Sequence, residues 1–193
     1  MLELSAGLKL KLLGATAVAV ASLSVVQLST GVASASSVAA TATIGAGTLS
    51  VSVPATVGFS DVLNGLDQTS TASLAIDVKD ATGSGAGWNI TATSTQFSSA
   101  SSALATNSVT LLSAPSVACD SGATCTVASG NVSYPMTLPA GSGPPTASKL
   151  FNAAASTGLG DQTVTPVFTL AIPASTVAGS YTSTWTVTVQ SGP

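Results

Sequence analysis

The chain has 193 residues, a formal net charge of −3, no histidine and a charged fraction of 6%, against about 25% in an ordinary globular protein. The low content of basic residues excludes nucleic acid as a partner. The lack of imidazole excludes Ser-His-Asp and Cys-His catalysis, and we predict a protein that is not an enzyme and needs no cofactor.

Near the N-terminus, two lysines precede an apolar stretch that leads to Ala33-Ser34-Ala35. Small residues in this pattern are typical of a signal-peptide cleavage site. We therefore predict a secretory signal peptide over residues 1–35 and a single domain over residues 36–193. A retained membrane anchor and a pilin-type leader cut after Gly14 are the alternatives. After signal cleavage we expect no membrane segment, and a secreted protein associated with the cell wall or cell surface.

Short segments that alternate between apolar and polar residues recur along the rest of the chain, with Gly-rich and Pro-rich turns between them. Period-two alternation predicts strands, and no later segment has a helical period. Strands without crossover helices predict an all-β fold, an antiparallel Greek-key or immunoglobulin-like β-sandwich of about eight strands. The predicted strands are 49–53, 74–78, 88–92, 109–112, 125–128, 132–138, 164–172 and 181–190.

The two cysteines of the chain, Cys119 and Cys125, enclose the short sequence Asp-Ser-Gly-Ala-Thr. In an exported protein this arrangement predicts a structural disulfide that closes a small loop. A redox-active pair usually has closer spacing, and a metal site needs more ligands.

Two stretches resemble the signature regions of the WxL family of bacterial cell-surface proteins. They are "DVKDATGSGAGWNITATSTQF" at 77–97 and "IPASTVAGSYTSTWTVTVQSGP" at 172–193. Ile90 and Val187 stand where that family has leucine, so the motifs read W-x-I and W-x-V. The resemblance extends from about Ala42 to Pro193, and it implies export and non-covalent attachment to the cell wall through peptidoglycan.

Trp88 and Trp185 are the candidate binding residues, and each has two interpretations. An exposed tryptophan pair would stack on the sugar rings of a glycan. A tryptophan in an alternating strand is more often a core residue, because one face of the strand must be buried.

Acidic residues concentrate between positions 61 and 80. Asp77 and Asp80 are weak candidates for calcium ligands, because oxygen ligands suit this ion. The spacing of an EF-hand is absent, and nothing in the sequence brings a carboxylate pair together across a cleft as a glycosidase requires. We therefore predict no metal site.

The sequence favours a non-catalytic cell-surface protein that binds cell-wall glycan (peptidoglycan) or other surface proteins. The alternative is a self-assembling subunit of a surface filament or coat, in which residues 36–53 complete a neighbour's sheet by strand addition.

Overall fold

The computed structural model describes residues 36–193, so the predicted signal peptide lies outside the described residues. Residues Thr43–Pro193 form one compact unit. Within the described part of the chain, no helix is long and apolar enough to span a membrane. The strands are β1 (Leu49–Ser52), β2 (Gln68–Ser73), β3 (Ile76–Asp80), β4 (Trp88–Thr95), β5 (Val109–Leu111), β6 (Ser116–Cys119), β7 (Met136–Thr137), β8 (Ala140–Gly141), β9 (Ser148–Ala153), β10 (Gly160–Thr165), β11 (Val167–Ile172) and β12 (Trp185–Ser191).

The strands form three hydrogen-bonded sheets. The first sheet has the order β1-β3-β10-β6 and the second has the order β2-β11-β5-β7. In the third sheet β4 lies between β12 on one side and β8 and β9 on the other. All pairs are antiparallel except the short pair β4-β8.

Two long strands bend where the first sheet meets the second. Residues 68–80 form β2 and then β3, and residues 160–172 form β10 and then β11. At the bend the amide of Leu74 donates a hydrogen bond to the carbonyl oxygen of Pro166 at 3.1 Å, while proline has no amide hydrogen with which to continue the ladder. The first two sheets are therefore one bent layer of the fold.

The third sheet packs against this layer around one hydrophobic core. Its central strand is β4, in which Trp88, Ile90 and Ala92 point inward and are at most 2% exposed. The indole Nε1 of Trp88 donates a hydrogen bond to the carbonyl oxygen of Gly158 at 2.9 Å. A buried indole needs such an acceptor, and the loop before β10 is therefore held against β4.

The predicted all-β antiparallel fold is confirmed, with twelve strands rather than about eight. Residues 125–128 are not a strand, and of residues 132–138 only Met136–Thr137 pairs. Strand β9 went unpredicted because its last four residues are all buried and do not alternate. The Greek-key and immunoglobulin-like connectivity stays a prediction.

The close packing of Gly158 against Trp88 generates a stability prediction. A Cβ atom at Gly158 would lie 2.5 Å from the Trp88 Nε1 atom, and the residue has φ +79°. We expect Gly158→Ala to lower the free energy of unfolding by about 3 kcal/mol or more, because backbone strain and overpacking add. Chemical denaturation measures this loss.

Gly83→Ala is the matched control. Gly83 also has a positive φ, +65°, but a Cβ atom there would meet nothing within 4 Å. This variant should lose only the cost of the backbone conformation, about 1 kcal/mol. Equal losses in the two variants would show that the contact with Trp88 does not constrain the fold.

Candidate functional site

A groove of about 660 Å³ lies between two loops of the sandwich. One loop contributes residues 57–63, which precede β2, and the other contributes residues 176–181, which precede β12. The other lining residues are Phe97, Leu104, Leu170 and Ile172. A concave, mostly apolar site with a few polar groups is the usual form of a ligand-binding pocket.

The first loop covers residues 53–67, between β1 and β2, without regular secondary structure. Side chains of β2 hold it in place. The Ser70 hydroxyl donates to the Ser60 carbonyl oxygen at 2.9 Å, and the Gln68 amide donates to the Asp61 carboxylate and to the Val62 carbonyl oxygen, both at 3.0 Å. Compact loops of this length without strands or helices are uncommon and are usually functional.

Aromatic rings connect the groove to the core. The ring of Phe59 lies 5.9 Å from that of Phe97, with the two rings nearly perpendicular, and 6.2 Å from that of Trp185. Trp185 in turn packs edge-on against the buried Phe168 at 4.8 Å. The floor of the groove is therefore rigid, because its apolar wall continues into the packed interior.

The second loop is fixed at both ends. The Asp67 carboxylate accepts a hydrogen bond from the Ala174 amide at 2.8 Å. The Tyr181 hydroxyl donates to the Val177 carbonyl oxygen at 2.8 Å. Apolar side chains nevertheless stay exposed beside the groove, with Val62 83% and Val177 56% exposed. Exposed apolar side chains grouped around a concavity mark a contact surface.

The groove carries little charge. Asp61 is its one charged lining residue, and no lysine lines it. Its polar groups are otherwise hydroxyls and backbone atoms, so the groove suits an uncharged ligand with apolar faces and hydroxyl groups.

The two tryptophans occupy different environments. Trp88 is 0% exposed, so no face of its ring is available to a ligand, and we remove it from the candidate binding residues. The reason is the parity of β4, which turns Trp88 toward the core together with Ile90 and Ala92. Trp185 is half-buried and contacts Phe59, so it supports the groove from behind.

The calcium candidates Asp77 and Asp80 do not converge. They lie three residues apart on β3 and point to opposite faces of the sheet. The buried Asp80 caps a turn by accepting hydrogen bonds from the amide and the hydroxyl of Thr82, at 3.0 and 2.6 Å.

Asp77 instead meets Asp120 and Asp161 on the outer face of the first sheet. Within residues 36–193 this is the one group of three acidic residues whose carboxylate oxygens lie within 4.8 Å of one another. Lys79 forms an ion pair with Asp161 at 2.7 Å, and the Thr163 hydroxyl donates to Asp120 at 2.6 Å. Three carboxylates at this spacing are oxygen donors for a cation, although Lys79 already compensates part of their charge.

Within the acidic cluster, the pKa values of Asp77 and Asp161 are shifted in opposite directions. Burial, followed by the hydrogen bond and the charge of Asp161, raises the pKa of Asp77. The hydrogen bond from Lys79 lowers the pKa of Asp161. One buried oxygen each of Asp77 and Asp161 has no hydrogen-bond partner among the described residues, and a proton held on Asp77 would relieve the repulsion between the two carboxylates.

The predicted disulfide between Cys119 and Cys125 is present, with a Cα–Cα distance of 5.7 Å. The residues that follow it are held by the fully buried Gln162. Its side-chain oxygen accepts a hydrogen bond from the Ala128 amide at 2.8 Å, and its nitrogen donates to the Thr126 carbonyl oxygen at 3.2 Å.

The sequence contained a signal for the groove that periodicity does not detect. Residues 53–67 hold six large apolar side chains without alternation, beside Pro54, Gly58 and Gly65. A long segment that is apolar but not strand-like predicts a structured surface loop. Asp120 and Asp161 carry no such signal, because only the register of β3, β6 and β10 brings them to Asp77.

Comparisons of the chain with protein-family models, curated proteins and solved structures find no match.

The acidic cluster predicts a pH-dependent effect of Asp77→Asn. Since folding raises the pKa of Asp77, its stabilising contribution is present below the unfolded pKa and is lost as the pH rises through the folded value. The asparagine side chain of the variant does not ionise, so this contribution is not lost as the pH rises. We expect Asp77→Asn to raise the Tm by about 2 °C near pH 7, a small effect because water screens the site, and by less near pH 3. Thermal unfolding followed by circular dichroism measures both.

Asp161→Asn should behave in the opposite sense. The lowered pKa of Asp161 stabilises the fold above the unfolded pKa, and this stabilisation is lost as the pH falls. Its substitution should therefore lower the Tm near neutral pH and have little effect in acid. A Tm change for Asp77→Asn that is negative, or the same at both pH values, would contradict the account of the cluster.

Proposed function

We propose that the protein is a non-catalytic cell-surface protein that works outside the cell and associates non-covalently with the bacterial cell wall. The groove between residues 57–63 and 176–181 is its binding site for the wall glycan. The observation that carries the proposal is a preformed concave site with partly exposed aromatic and apolar walls and hydroxyl groups. Sugars present the same combination of apolar ring faces and hydroxyl groups.

Electrostatics favour an uncharged partner. No lysine lines the groove, so an anionic polymer would find no counter-charge there, and the one carboxylate, Asp61, would repel it. A neutral sugar can donate its hydroxyl hydrogens to Asp61 and to the backbone carbonyl groups of the two loops, while its ring packs on the apolar wall.

The side chains available for chemistry support a non-catalytic role. Hydrolysis of a glycan needs a carboxylic acid and a second carboxylate across the bound sugar. Asp61 stands without an acidic partner in the groove lining. The other close carboxylates, Asp77, Asp120 and Asp161, are not among the lining residues, and Lys79 compensates part of their charge through its ion pair with Asp161.

The disulfide supports the proposed location, because such bonds form and persist in oxidising compartments outside the cytosol. The resemblance of residues 77–97 and 172–193 to the WxL signature regions supports the choice of the wall as the partner. The two signature tryptophans then have separate roles, since Trp88 fills the core and Trp185 supports Phe59 behind the groove.

Substitutions at the rim of the groove test the proposal. Val177→Asp places a charge on an exposed groove residue, where a bound sugar ring would have to desolvate it. We expect this variant to sediment with isolated Gram-positive cell walls at least about tenfold more weakly than the wild type, a loss on the order of 1.4 kcal/mol in binding free energy. The measurement is the bound fraction as a function of protein concentration.

Val127→Asp is the matched control. Val127 is 52% exposed, close to the 56% of Val177, and it does not line the groove. It should bind walls as the wild type does. Equal losses in both variants, or no saturable sedimentation of the wild type, would refute the groove as a wall-binding site.

A further inference from the structure

Strand β12 has one edge without a partner strand. Its seven residues, Trp185–Ser191, pair with β4 along their full length, and no other strand within residues 36–193 hydrogen-bonds to it. Charged residues and prolines protect the free edges of sheets from pairing with other strands. β12 contains neither. Strand β9, by contrast, carries Lys149.

The apolar face of β12 is incompletely covered. Val187 and Val189 stand opposite Ala92 and Ile90 of β4 and point to the same side of the sheet. The two β4 residues are 2% and 0% exposed, whereas the two valines are only half-buried. The difference arises because β4 has neighbours on both sides and β12 has one.

Strand β1 lies next to β12 without pairing with it. Cα atoms of the two strands come within 8 Å, yet β1 hydrogen-bonds only to β3. Leu49 and Val51 of β1 face the core and are half-buried. When a strand lies between two others, the outer two are about 9.6 Å apart. A further strand therefore fits in the seam between β1 and β12 once β1 has moved outward by about 2 Å or more.

Gly47 and Thr48 continue the pairing of β1 through backbone hydrogen bonds with Ala81, whereas residues 36–46 have the pattern of a strand but belong to no sheet. They are exposed along their whole length, with Val38 92% and Ile44 94% exposed. Val38, Ala40, Ala42 and Ile44 share one parity, and Ala39 is the one apolar residue of 38–44 on the other parity. Alternation of this kind is the signature of a half-buried strand, and here the apolar side is left in water.

We propose that residues 38–44 of one copy add to the free edge of β12 in a second copy. Donor and acceptor are both seven residues long. The donor has four side chains on its apolar side, and β12 turns three half-buried side chains toward the interior. Neither contains a charge, so pairing desolvates no ion. The small side chains of Ala40 and Ala42 suit the narrow seam beside Val187 and Val189.

The donor segment and the acceptor edge are different parts of each subunit, so the contact is heterologous. Such contacts build rings or open filaments rather than closed two-fold dimers. The donor is shorter than the 36–53 segment expected from the sequence, because Leu49–Ser52 already pair with β3 inside their own chain. This assembly is independent of wall binding by the groove.

A pair of charge substitutions in the exposed donor segment tests the proposal. Ala42→Asp puts a charge on the apolar parity, and Ala39→Asp puts the same charge on the polar parity. For the purified full chain, light scattering after size exclusion at increasing concentration should show assembly of the wild type and of Ala39→Asp. Ala42→Asp should need at least about tenfold higher concentration. A synthetic peptide of residues 36–47 should bind to Ala42→Asp and raise its Tm.

Three results would overturn the proposal. The first is a wild type that stays monomeric at every concentration, together with a peptide that does not bind. The second is assembly that survives Ala42→Asp, or that Ala39→Asp abolishes equally. The third is a monomeric wild type together with an Ala42→Asp variant whose Tm is lower than that of the wild type. This result would place the segment on the β12 edge of its own chain.

Discussion

The fold depends on the burial of one indole. Trp88 begins the central strand of the third sheet, and its ring lies in the core with no exposed surface. A buried indole N–H needs an acceptor, and the carbonyl oxygen of Gly158 supplies it at 2.9 Å. Because Gly158 leads directly into β10, this contact joins the third sheet to the bent layer made by the first two. The register of β10 in turn positions Gln162 in the core beneath the disulfide loop and Asp161 on the outer face.

The chain closes its core more completely in the middle than at β12 and the two groove loops. Around β4 the inward residues are buried, whereas Trp185, Val187 and Val189 of β12 remain half-exposed, and Val62 and Val177 remain exposed beside the groove. These apolar surfaces fall in two separate places, a preformed concavity and an unpaired strand edge. A concavity suits a small rigid ligand, and a strand edge suits an extended chain. The two proposed interactions therefore use different surfaces and share only Trp185, which begins β12 and supports Phe59 behind the groove.

Period-two alternation was enough to predict the strands around Leu49, Ile76, Trp88 and Trp185, and hence the all-β fold. It missed β9, whose Leu150 to Ala153 are all buried, and it could not separate β10 from β11, because their break at Pro166 is a matter of tertiary packing. The disulfide was predictable from spacing and context. The groove was not, because it is made by residues 57–63 and 176–181, which meet only after the sandwich has formed.

The central claim is that the groove at residues 57–63 and 176–181 holds wall glycan. The most direct measurement is a titration of the ¹⁵N-labelled protein with a soluble oligomer of N-acetylglucosamine, the uncharged sugar of the wall glycan, followed by the backbone amide signals. The account predicts saturable shifts confined to those two loops and to Phe97 and Trp185. Shifts confined to the outer face of the first sheet, or no shifts at glycan concentrations that saturate wall binding, would contradict it.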